Sequence, residues 1–129
     1  IAQASPPDMR LPISLALDWP NRVPEAGVPL DWTTPSTWTF EPLDGAAFPA
    51  VALARRVGVA GGCYPAVFNA ANEQAVAAFH DGRIGFLGIV ETVERVIDMF
   101  SPDGGDLSVE ILSQAELWAR TAANELLSS

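Results

Sequence analysis

At 129 residues, 49% of them hydrophobic, the chain is long enough for one compact core and too apolar to be disordered. Sixteen acidic residues against seven basic ones leave a net charge of −9, which argues against nucleic acid and against an anionic membrane, since both need a basic face. No run of about 18 uncharged apolar residues marks a membrane span, and the single Cys63 allows neither an internal disulfide nor a multi-cysteine zinc site. The first residues lack the basic start and apolar centre of a signal peptide, so a reducing, cytoplasmic setting is expected.

The chain opens without methionine and as though mid-strand, which reads as a piece of something longer. Residues 1–5 alternate apolar with small or polar side chains, the pattern of a strand, and Pro6 and Pro7 end it because neither can donate to a ladder. Asp8 can cap a helix over Met9 to Trp19, with Pro12 tolerated in its first turn. Leu11, Leu15 and Trp19 recur every four residues on its apolar face, Ile13 and Leu17 widen that face, and Pro20 closes the helix.

From Pro20 to Pro49 a proline arrives every four to seven residues, a spacing that no long helix survives. This is an extended linker arm, pinned down by Trp32, Trp38 and Phe40, with a strand expected over Thr37 to Phe40. After Pro49 the pattern turns helical. A helix over Pro49 to Val57 is expected to stop at Gly58, followed by a loop through Cys63. A central Ala-rich helix spans 65–81, with Pro65 in its first turn and Gly82 as a left-handed stop.

A helix over Leu87 to Phe100 carries the clearest amphipathic stripe: Ile89, Val93, Val96, Ile97 and Phe100. Ser108 can cap a short helical turn through Leu112, and Ser113 with Glu116 has the form of a capping box opening a last helix to Leu127. Four helices on short loops favour an up-and-down antiparallel bundle.

Chemistry is sparse. His80, alone in the last turn of the central helix, reads as a dipole-stabilising or solvated residue. Cys63 has no basic neighbour in sequence that would make it a nucleophile. The glycines at 58, 61 and 62 follow a helix and lack the Lys-Ser/Thr pair of a phosphate loop. Asp103, Asp106 and Glu110 are too few and wrongly spaced for calcium, and Glu91 and Glu94 read as a solvated face. Asn69, Asn72 and Glu73 stand out as a polar run inside the central helix that must find partners.

Three segments together nevertheless resemble the C-terminal part of the 1-deoxy-D-xylulose 5-phosphate reductoisomerase family. They are Pro7-Asp8-Met9-Arg10 with Pro12 and Ile13, then Trp19-Pro20-Asn21-Arg22, then Asn69, Asn72 and Glu73 with Ala75 and Phe79. The resemblance implies a three-part enzyme with an NADPH-binding domain, a catalytic domain holding Mg or Mn, and a helical C-terminal domain reached through a long linker.

On that reading the fold is mainly α. Residues 1–20 are the end of an upstream α/β catalytic domain, 21–48 the arm with one or two short strands, and 49–129 the four-helix bundle. Partners would be the protein's own upstream domains and a second copy in a homodimer. The resemblance puts Pro7 and Met9 on the active-site wall beside the nicotinamide, gives the fragment no catalytic or metal-binding residue, and makes Asn69, Asn72 and Glu73 fasteners between helix and arm. The alternative from a different class is a free-standing acidic helical interaction module.

Overall fold

The computed structural model describes residues 6–102 and 106–128, so the strand expected over residues 1–5 lies outside the described residues. Five helices follow in chain order: α1 (Arg10–Leu17), α2 (Ala50–Ala60), α3 (Tyr64–His80), α4 (Phe86–Met99) and α5 (Val109–Leu127). The chain divides into two compact units, Ile1–Glu41 and Pro42–Ser129.

In the first unit α1 forms where expected, though shorter at both ends, and its Ser14 carbonyl receives the closing amide of Asp18 at 3.1 Å. None of its residues is buried: Leu17 is 83% exposed, and Trp19 just beyond is 74% exposed. The apolar face is real in sequence but is at most half-buried here, at Leu15. The backbone at Gly27 returns close to Leu11, where a side-chain carbon would sit 3.1 Å from the leucine Cγ. Asp31 holds the following turn, accepting from the Thr33 amide at 2.8 Å and its hydroxyl at 2.6 Å.

No strand forms among the described residues of the arm, which corrects the strand expected over Thr37 to Phe40. Trp38 and Phe40 do share a side, their rings stacked 6.5 Å apart. Alternation alone supplies that placement; a ladder also needs a partner strand for its backbone groups.

The second unit is the bundle. Asp44 opens it by accepting the amides of Ala46 and Ala47, both at 3.0 Å, ahead of α2. Helix α2 does not stop at Gly58 but runs on to Ala60, ending at Gly61 with φ +65°. A glycine inside a helix costs only about 1 kcal/mol against alanine, and buried Leu53 and Val57, both ahead of Gly58, hold the helix on the bundle. Gly82, with φ +71°, ends α3 as its sequence implies.

Helix α3 is the hub, packing on α2, α4 and α5, with α4 and α5 also touching each other. Its packed face is small: Ala70, Ala71, Ala75 and Ala78 are fully buried around Val67. Helix α5 answers with Ala115, Ala119, Ala122 and Ala123. Alanine on both sides lets two backbones approach closely, and the larger volume comes from Val93, Val96 and Ile97 of α4. Tyr64, Phe100 and Trp118 finish one end of the core, Phe100 meeting each of the other two rings at 5.2 Å.

Helix α5 is continuous from Val109. Ser108 caps it, its hydroxyl accepting the Ile111 amide at 3.2 Å. The capping box expected at Ser113 and Glu116 therefore falls inside a helix that has already begun.

Candidate functional site

Among the described residues, two polar constellations include residues singled out in the sequence and their direct partners, one in each unit. The first is the turn into α1. The Asp8 carboxylate accepts the Arg10 backbone amide at 3.0 Å and, through both oxygens, the Arg10 Nε at 3.0 Å, with the terminal guanidinium nitrogen closing the pair. The cap expected at Asp8 is instead at Met9, which makes no side-chain cap hydrogen bond, and Asp8 binds the first helical amide from one residue further back. These hydrogen bonds, the side-chain ones first, hold the Asp8 carboxyl below the usual carboxylate range. Between the paired side chains stands Met9, 70% exposed, with exposed Pro7 ahead of them. Met9 shares this exposure with Leu17 and Trp19 along and just beyond α1.

The second constellation joins α3 to α5. Asn69 donates to Glu73 Oε1 at 2.8 Å, while Glu73 Oε2 lies 2.8 Å from the Arg120 guanidinium. The hydrogen bond from Arg120 and its charge are the main reasons the Glu73 carboxyl titrates below its ordinary value; Asn69 adds to them. The fastening runs within the bundle, where the sequence reading looked to the arm. Asn69 and Glu73 lie on the exposed rim and Asn72 is half-buried, so desolvation is slight. Arg120 went unnoticed in the sequence, although it is the single cation of α5 and so the natural mate for an acid on a packed neighbour.

The remaining candidates stay apart. His80 is exposed at the end of α3, its ring 5.7 Å from Phe79. Glu91 and Glu94 are exposed, and Glu94 stands 3.9 Å from Arg56, which binds Asp98 more closely at 3.0 Å. Cys63 is buried against a cavity of about 780 Å³ between α4 and α5, near Phe100 and Trp118. No acid, histidine or other base is among the described residues lining that cavity. Among the described residues no group of three or more His, Cys, Asp or Glu side chains could hold a metal ion, so these residues do not fit one. No helix among them is long and apolar enough to cross a membrane.

An alanine-packed four-helix bundle, preceded by a proline-rich arm and one exposed, hydrogen-bonded loop, defines a helical accessory domain with its connecting segment. The chain belongs to the DXP reductoisomerase C-terminal domain family, whose sequence model matches residues 4–122.

It is 72% identical over 127 residues to 1-deoxy-D-xylulose 5-phosphate reductoisomerase of Leifsonia xyli subsp. xyli (strain CTCB07), covering 98% of this chain and 35% of that protein. The reductoisomerase of Arthrobacter sp. (strain FB24) is 59% identical over 127 residues, covering 98% of this chain and 32% of the relative. A similar solved structure is the reductoisomerase from Zymomonas mobilis in complex with NADPH. It superposes with a TM-score of 0.72 at 43% identity, covering 100% of this chain and 34% of that one. The chain thus spans about a third of the length of the curated relatives it matches.

Proposed function

We propose that this chain is the C-terminal third of an enzyme that converts 1-deoxy-D-xylulose 5-phosphate into 2-C-methyl-D-erythritol 4-phosphate, by skeletal rearrangement followed by NADPH-dependent reduction, in non-mevalonate isoprenoid synthesis. The observation that carries this reading is the 72% identity across 98% of the chain to a protein of that name. NADPH as the reductant follows from the NADPH complex of the Zymomonas mobilis relative. When bound, NADPH supplies the hydride. Residues 1–20 end the catalytic domain, 21–48 are the linker, and 49–129 form the supporting bundle. The divalent cation, Mg or Mn, belongs to residues of the intact enzyme outside this chain. The enzyme works as a cytoplasmic homodimer.

Within this chain, Pro7 and Met9 line the wall beside the nicotinamide. Both are exposed here and so free to meet a cofactor. An apolar thioether and a proline ring at that wall shield the hydride path from water. The bundle contributes no group to the chemistry and keeps the loop's supporting structure in place, so the fragment alone is inactive.

The test is an assay of the full-length protein with deoxyxylulose phosphate, NADPH and Mg or Mn. Substrate-dependent NADPH oxidation with formation of methylerythritol phosphate supports the reading; a folded full-length protein that leaves NADPH unoxidised refutes it.

A further inference from the structure

We propose that Asp8 and Arg10 are positioning residues, whose paired side chains fix the intervening Met9 in the conformation that meets the nicotinamide. This deepens, and rests on, the reading of Pro7 and Met9 given above. The geometry is a short clasp: residues two apart in sequence are joined side chain to side chain and also side chain to backbone, all around Met9. Met9 is held at φ −65° and ψ −17°, and the preceding Pro7 has its own φ fixed by the ring. Arg10 remains 67% exposed while the Asp8 side chain is 16% exposed, so the guanidinium covers the carboxylate from solvent.

An exposed ion pair does little for global stability. The consequence of this one is local. It removes backbone freedom from four successive residues before any ligand arrives, so that binding does not have to order them. A planar guanidinium can grip both carboxylate oxygens at once, which a lysine ammonium does not do in the same way.

The test is steady-state kinetics of the full-length enzyme carrying Met9→Ala, Asp8→Ala, Arg10→Lys and the double substitution Asp8→Ala/Met9→Ala. Asp8→Ala and Arg10→Lys are expected to lower kcat/KM for NADPH roughly tenfold, mainly through KM, because a misplaced contact weakens cofactor binding. The double variant is expected to be no worse than the poorer single variant, since Asp8 acts only through Met9. Asp8→Asn, which keeps an acceptor for the Arg10 amide, recovers part of the loss and serves if Asp8→Ala folds poorly.

Losses that multiply in the double variant overturn the proposal, as does a fall in kcat alone with KM unchanged, the signature of a smaller folded fraction. Wild-type kinetics in Asp8→Ala beside an impaired Met9→Ala overturn the positioning role and leave Met9 on the wall. Wild-type kinetics in Met9→Ala overturn both.

Discussion

Glu73 and Arg120 join the two longest helices of the bundle, α3 and α5, through a 2.8 Å ion pair, and Asn69 occupies the carboxylate oxygen that Arg120 leaves free. The carboxylate is thereby satisfied on both sides without being buried. The pair spans two helices whose buried residues are alanine apart from Val67, and since alanine by itself distinguishes registers poorly, the pair is placed to fix their register.

The pair has a pH signature. Arg120 lowers the folded-state pKa of Glu73 from its ordinary 4.5, so the stabilisation is present above that value and is lost as pH falls through the depressed one. Glu73→Gln in the 129-residue chain is expected to lower Tm slightly at pH 7, and the gap from wild type should narrow as the pH falls below 4.5 and through the depressed value. Thermal melts followed by circular dichroism across that range check it. A gap that widens in acid would be the wrong sign.

The alanine face makes a second prediction. Ala119 is fully buried opposite α3, so Ala119→Leu must force the helices apart or push a side chain off its rotamer, costing about 1–3 kcal/mol. Urea denaturation measures it.

Exposure separates the two units in the same assay. Leu53 is 5% exposed and Leu17 is 83% exposed. Leu53→Ala should cost roughly 2–5 kcal/mol, whereas Leu17→Ala in this chain should stay within about 0.5 kcal/mol. In the full-length enzyme, where the proposed upstream domain would cover α1, Leu17→Ala should become clearly destabilising.

Glycines make opposite predictions at two positions. Gly58 lies inside α2 with no atom within 4 Å of an added side-chain carbon, so Gly58→Ala should stabilise the chain by about 0.5–1 kcal/mol. Gly82 is equally uncrowded but sits at φ +71°, so Gly82→Ala should destabilise it by about 1–2 kcal/mol. Denaturation midpoints of the two variants move in opposite directions if the backbone is as described.

Those glycines show where the sequence was legible. The stripe of α4 and the bounds of α3 were readable because period and punctuation agree there: Val93, Val96 and Ile97 are buried as spaced, and Gly82 stops the helix. At Gly58 punctuation and packing conflict, and packing wins through Leu53 and Val57. Ser113 with Glu116 has the right spacing for a cap, but Ser108 has already started the helix five residues earlier.

The candidate site was less legible than the fold. Pro7 and Met9 entered through family resemblance, because a proline and a methionine before a helix carry no chemistry of their own. The clasp between Asp8 and Arg10 spans only two residues, too short to leave a periodic trace, and the mate of Glu73 is forty-seven positions away in sequence, a contact that only the packing of α3 on α5 creates.

The most direct test of the account is to compare three proteins under one assay with deoxyxylulose phosphate, NADPH and Mg or Mn: the full-length enzyme, the upstream two thirds alone, and this 129-residue chain alone. The account predicts turnover by the full-length enzyme, none by this chain, and loss of turnover in the upstream part when it lacks Met9 and the bundle. Turnover by this chain alone, or unchanged kcat and KM in the upstream part without it, would contradict the account.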